Sequence, residues 1–155
     1  MKLLALDLSS NVGHAILERG RVPLFGTLRL VGDRATMLGR FGVWLDEFHM
    51  VHGFDSVAWE RPLITPRDTV DKLEILYGLV GIAYAFAGAR KLPHLEVTVQ
   101  QVKFALTGKS NADKAEMVAA AMQVMNWKVA NDHEADAGGV GIHAMGILNP
   151  RTVAA

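Results

Sequence analysis

Four side chains sit at the edges of apolar elements, where a charge is costly unless something answers it. Asp7 lies inside Leu3-Leu4-Ala5-Leu6-Asp7-Leu8, a run that otherwise reads as a buried strand. Glu60 ends a second short apolar strand, Val57-Ala58-Trp59-Glu60. His133 and Asp136, in His133-Glu134-Ala135-Asp136, are spaced i and i+3 and share one face of a helix. A carboxylate at such positions needs a cation, a donor or a metal. Carboxylate oxygens suit magnesium, and an added imidazole makes manganese effective too. Two such ions about 4 Å apart can hold the attacking water and the leaving oxygen of a phosphodiester. Asp7 would bridge them, with Glu60 and Asp136 on either side. Asp132, at i−4 from Asp136, competes with His133 for the fourth place, although it also suits a helix cap. Glu134 points elsewhere on the helix and is expected in solvent. Singly, each residue has a structural reading: a turn acid at Asp7, an Arg61-paired strand end at Glu60. Three such elements together favour the metal site.

These side chains must be positioned by a sheet. The pattern predicts strands over Leu3–Ser9, Gly13–Leu17 and Leu24–Leu30, with a hairpin turn at Glu18-Arg19-Gly20-Arg21. From Asp33 the period becomes helical, through Met37, Leu38, Phe41, Trp44, Leu45 and Phe48 to about His49. Ser56–Glu60 returns to strand, and Pro62 and Pro66 enforce a loop. A helix over Thr69–Ala87 is apolar on most faces and rich in small residues, which suits the core, a partner chain or both. Strand Glu96–Val99, a short helix Gln100–Leu106, a helix capped by Ser110 or Asn111 and running to Met125, and a last helix from Asp132 to Ile147 complete the chain. That order implies an α/β domain, a mixed sheet with helices on its faces.

Composition narrows the class. The 155 residues suit one domain, and the 50% hydrophobic content argues against disorder. No apolar run approaches the roughly 18–20 residues of a membrane span, and the N-terminus reads directly into strand. Cysteine is absent, which excludes disulfides and thiolate metal sites and makes a cytoplasmic location the default. Sixteen basic and 16 acidic residues balance, so bulk charge gives no sign of nucleic-acid binding.

At these residues the chain resembles the RuvC family of Holliday-junction resolvases, within the RNase H-like nucleases. Leu4-Ala5-Leu6-Asp7-Leu8-Ser9 with Gly13 is similar to the family's opening strand, and Ala58-Trp59-Glu60-Arg61-Pro62 to the strand of its second acid. Val102 to Lys114, through Thr107-Gly108-Lys109-Ser110-Asn111-Ala112-Asp113, resembles its lysine-bearing segment, and His133-Glu134-Ala135-Asp136-Ala137 its closing motif. In that motif His133 fits the fourth-ligand slot better than Asp132. The resemblance spans nearly the whole chain. It implies a single RNase H-like domain over 1–155, with a mixed five-stranded sheet flanked by helices. It also implies a homodimeric endonuclease that nicks four-way DNA junctions symmetrically, using two magnesium ions or manganese held by Asp7, Glu60, His133 and Asp136. Lys114 would assist catalysis. Arg61, Arg67, Lys72, Lys109 and Lys114 would contact phosphates, and the Thr69–Ala87 helix would face the second protomer.

The chain departs from the family at the loop after Glu60. Where an aromatic often wedges into the junction, this chain has Leu63 and Ile64. Gly138, Gly139 and Gly141 interrupt the last helix and call for close packing against the sheet. The short, neutral chain suggests a compact, phage-type member. Rival readings are an actin-like ATP-binding protein, which needs a second half that is absent here, a non-cutting junction binder, and an RNase H-like nuclease acting on RNA–DNA hybrids or flaps.

Overall fold

The computed structural model describes residues 1–148. Strands β1 (Lys2–Asp7), β2 (Asn11–Glu18) and β3 (Leu24–Arg29) form an antiparallel meander. Strand β4 (Ser56–Glu60) pairs parallel to β1, and β5 (His94–Val97) pairs parallel to β4. The order is β3-β2-β1-β4-β5. Both faces of the sheet are covered, so β1 and β4 read as continuous apolar runs instead of alternating ones. Leu3 and Ala5 enter one core with Ala15, Leu17 and Ala58. Leu4 and Leu6 enter the other with Val12, Ile16, Val57 and Trp59.

Helices α1 (Arg34–His52) and α2 (Val70–Arg90) cover the second face, while α3 (Val99–Thr107), α4 (Lys114–Ala119) and α5 (Asp132–Leu148) cover the first. Asp33 caps α1 by accepting from Thr36 N–H, and α1 continues past the expected His49 to Gly53, whose φ of 61° ends it. Strand β5 lies two residues earlier than expected, because Thr98 leaves the strand to form a capping box with Gln101. Asp113, and not Ser110 or Asn111, caps α4 through Glu116 N–H. The helix expected to reach Met125 widens after Ala119 into a π turn over Ala120–Val124. Asn131, and not Asp132, accepts the Glu134 N–H at the start of α5.

Helix α2 buries Leu76, Leu79, Val80, Ala83, Phe86 and Ala87 in the core. Its opposite stripe of Glu74, Tyr77, Gly81, Tyr84 and Gly88 is exposed. Contrary to the expectation from sequence, α2 is long and apolar enough to cross a membrane by length and composition, with a mean hydropathy of 1.3. A third of that window is buried in the fold.

The glycines of α5 allow close packing, but only Gly141 is pressed chiefly against the sheet as expected. A Cβ at Gly138 would lie 2.4 Å from the Trp127 ring, one at Gly139 would lie 2.9 Å from Val102 O, and one at Gly141 would lie 2.3 Å from Leu17. The closest approach is on β2, where a Cβ at Gly13 would lie 2.1 Å from the His133 carbonyl oxygen. Only a residue without a side chain lets the start of α5 rest on β2 beside Asp7, with which Gly13 pairs. Gly13→Ala is therefore expected to destabilise the fold by about 3 kcal/mol or more. Gly39→Ala in α1, where a Cβ would meet nothing within 4 Å, should stabilise it by about 0.5–1 kcal/mol. Urea denaturation of the two variants checks both.

Candidate functional site

Strand pleating decides which acids meet. Asp7 continues the Leu3–Ala5 side of β1, and Glu60 continues the Ala58 side of β4. Leu6 pairs with Trp59, so Asp7 and Glu60 are each one residue beyond a paired position, at the same strand ends. Both face the N-terminal turns of α5, which carry His133 and Asp136.

His133 Nδ1 lies 2.7 Å from Asp7 Oδ2. An ionised carboxylate only accepts, so Nδ1–H donates and the imidazole Nε2 is left for another partner. This bond, ahead of the cost of burial, holds the His133 pKa above its ordinary value. Glu60 is pushed up to about 8 by burial first, then by Asp7 and Asp136, with Lys103 opposing. Asp136 is pushed up to about 7 by burial, then by Asp7 and Asp132, with His133 and Lys114 opposing. Burial and the neighbouring acids favour the protonated forms, so at neutral pH Glu60 keeps most of its proton while Asp136 is in mid-titration.

Asp132 has a different role. Its carboxylate takes Lys114 Nζ at 2.7 Å, which keeps its pKa below the ordinary range. Of the two rivals for a fourth ligand, His133 is the one bonded to Asp7. Glu134 corrects an expectation. It is 6% exposed and not solvated, because Oε2 accepts from Ala130 N–H at 2.7 Å and Oε1 from Thr27 Oγ1 at 3.1 Å. It fastens the start of α5 to β3. The spacing Asn131-x-x-Glu134 was its signal in the sequence, that of a capping box.

The expected DNA contacts are dispersed around this centre. Arg61 Nε pairs with Glu96 at 2.6 Å and Lys109 with Glu116 at 2.8 Å. Lys72 pairs with Asp68, and Lys114 with Asp132 as above. Arg67 is exposed, as are Leu63 and Ile64 of the same loop. Lys103 was not singled out from the sequence. It follows Val102, a core residue of α3, and its charge acts on Glu60.

Among the described residues no three acidic or histidine side chains already converge on one point at ligating distance. The donor set still fits a hard divalent cation: three carboxylates and one imidazole, two of the carboxylates made readier to keep protons by burial and by the neighbouring acids. A cation would relieve the repulsion between the acids and displace those protons.

The sign of the pH dependence follows. Glu60 and Asp136 bind more protons in the folded chain than in the unfolded one between about pH 4 and 8, so stability falls as pH rises through that window. His133, with a raised pKa, contributes stability that is also lost as pH rises above its ordinary value, so the trends agree. Metal-free protein should melt lower at pH 8 than at pH 5. Glu60→Gln should recover part of the difference at pH 8, at about 2–4 °C per kcal/mol. Millimolar magnesium or manganese at pH 8 should raise the Tm of the native chain more than that of Asp7→Asn. Equal shifts in the two would argue against binding at Asp7.

Neither a protein-family model nor a curated protein matches the chain. Solved structures do. Thermus thermophilus RuvC superposes with a TM-score of 0.71 at 17% identity, covering 92% of each chain. T. thermophilus RuvC in complex with Holliday junction substrate gives 0.76 at 18% identity, again covering 92% of each. The yeast mitochondrial Holliday junction resolvase Ydc2 gives 0.66 at 13% identity, covering 92% of this chain and 77% of that one. A mixed five-stranded sheet with α1 and α2 on one face and α3 to α5 on the other is thus the RNase H-like fold of the RuvC resolvases.

Proposed function

We propose that this chain is a divalent-metal-dependent endonuclease that resolves four-way DNA junctions, as a homodimer built from a single domain over residues 1–155. The observation that carries the reading is the bond between Asp7 and His133 at the strand ends of this fold, with Glu60 and Asp136 near enough for their charges to act on Asp7. The likeness to a resolvase structure solved with its junction substrate supports the choice of DNA.

Asp7, Glu60, His133 and Asp136 would hold magnesium or manganese. When bound, the metal supplies an activated water and Lewis-acid charge for phosphodiester hydrolysis. The chain's own residues do the rest. Asp7 holds the His133 ring through Nδ1–H and so aims Nε2. Glu60 and Asp136, half-buried, hold protons more tightly than free carboxyls do, and arriving positive charge would ease their release. Lys103 lies near enough to Glu60 for its charge to act there and Lys114 is paired with Asp132, so both cations would flank a scissile phosphate bound at the acids. Arg61, Arg67, Lys72 and Lys109 lie farther out as phosphate contacts. Four of the five proposed DNA-contacting cations hold an acid partner, so binding exchanges one anion for another and should be less salt-dependent than contacts by five free cations would be. The exposed Tyr77–Gly81–Tyr84 stripe of α2 would meet its copy across a twofold axis.

The test is cleavage of a labelled synthetic four-way junction. Wild type should give paired symmetric nicks with magnesium or manganese. Asp7→Asn should lower the rate by at least about a hundredfold while junction binding persists. Lys103→Ala and Lys114→Ala should each slow cleavage by about tenfold or more. Tight binding without nicks by wild type would leave a junction-binding protein instead of an enzyme.

A further inference from the structure

At the same end of the sheet as the acidic centre, on the face that α2 covers, lies a second concavity that the cleavage chemistry does not use. Ser9 and Ser10, in the turn after β1, face Lys72, Ile75 and Leu76 of the first turns of α2 across a cleft of about 340 Å³. That volume is at the low end for small-ligand pockets and suits one flat group better than an extended ligand. The floor is aliphatic, with Leu76 only 8% exposed. The rim is polar. Ser9 Oγ is already engaged, donating to Asn11 O at 2.9 Å and accepting from Asn11 N–H at 3.1 Å, so the turn holds its shape unaided. Ser10 is exposed, and its hydroxyl can either donate or accept. Lys72 brings a cation to the edge, held by Asp68.

Position limits what could occupy this cleft. Ser9 is two residues from Asp7, and two residues of chain span at most about 7 Å. Stacked nucleotides advance about 3.4 Å along each strand. A strand whose phosphate sat at Asp7 would therefore carry a base within about two nucleotides of the cleft. A nucleobase has apolar faces and a hydrogen-bonding edge, which matches an aliphatic floor beneath a hydroxyl, and Lys72 would meet a flanking phosphate. The exposed aliphatic pair Leu63 and Ile64 belongs to the loop that joins Glu60 to α2, where it can part neighbouring bases.

We propose that the cleft of Ser9, Ser10, Lys72, Ile75 and Leu76 is a base pocket: it takes one unpaired nucleobase of the strand being cut and sets the sequence preference of cleavage. The proposal rests on the nuclease reading given above. A hydroxyl accepts any base edge in principle, so discrimination comes from how each base fills the floor while its edge meets Ser10.

The experiment uses four-way junctions that differ only in the base pairs flanking the crossover, with cuts mapped for wild type, Ser10→Trp and Ile75→Ala. Ser10→Trp fills the cleft from an exposed turn, and Ile75→Ala opens the floor; thermal melting verifies that each is folded. Wild type should favour particular bases at one position by about tenfold or more. Both variants should bring the favoured junction down toward the others, within about twofold. A 2-aminopurine at the favoured position should change fluorescence on binding Asp7→Asn, and should not when Ser10→Trp is added to that protein. Absence of any preference in wild type, or a preference unchanged in both folded variants, overturns the base pocket while leaving the nuclease standing. Failure of wild type to bind or cut any junction overturns the nuclease reading and the pocket with it.

Discussion

Like charges forced together at the ends of two parallel strands are the constraint around which this molecule is arranged. Asp7 and Glu60 leave neighbouring strands at the same level and on the same face. Neither can be moved without shifting a strand that is buried on both sides. The start of α5 then brings Asp136 into the same space. What keeps the arrangement folded is local compensation: the His133 ring on Asp7, protons retained on Glu60 and Asp136, and Lys103 and Lys114 at the border. Gly13 allows α5 to come so near, and Glu134, tied to Ala130 and Thr27, keeps it there.

Much of this was legible in the sequence, for physical reasons. Strands buried on both faces leave unbroken apolar runs, and β1, β2 and β4 were therefore found to within two residues at each end, β4 at its own bounds. The acids stood out because each interrupted or ended such a run. The three glycines of α5 announced close packing, and Trp127, Val102 and Leu17 are what they pack on. The boundaries that were missed turn on capping side chains such as Thr98, Asp113 and Asn131, where neighbouring candidates compete and the tertiary fit chooses.

What the sequence hid was pairing across distance. Arg61 reads as the partner of Glu60, yet it turns to Glu96 on the next strand. Lys114 and Asp132 are 18 positions apart and meet only because α4 and α5 pack together. Lys103 lacks any local sign, since its charge acts on Glu60 only once α3 has packed against α5. The π turn is equally silent. It forms where Met125 N–H reaches back to Ala120 O and Trp127 N–H to Ala121 O, with Trp127 anchored against Gly138 and Phe25.

Strand β4 carries one more consequence. Trp59 and Glu60 are consecutive, so they point to opposite faces of the sheet. Trp59 is fully buried, stacked on His94 with ring centroids 5.8 Å apart, and met edge-on by Tyr84 at 4.7 Å. Tyr84 belongs to the exposed stripe of α2. The outer surface of the helix layer and the acid at the opposite face are thus separated by one aromatic contact and one peptide bond. In a close-packed interior such a short lever has no slack. A side chain of another size at Tyr84 would have to be accommodated around Trp59, the neighbour of Glu60 in the chain.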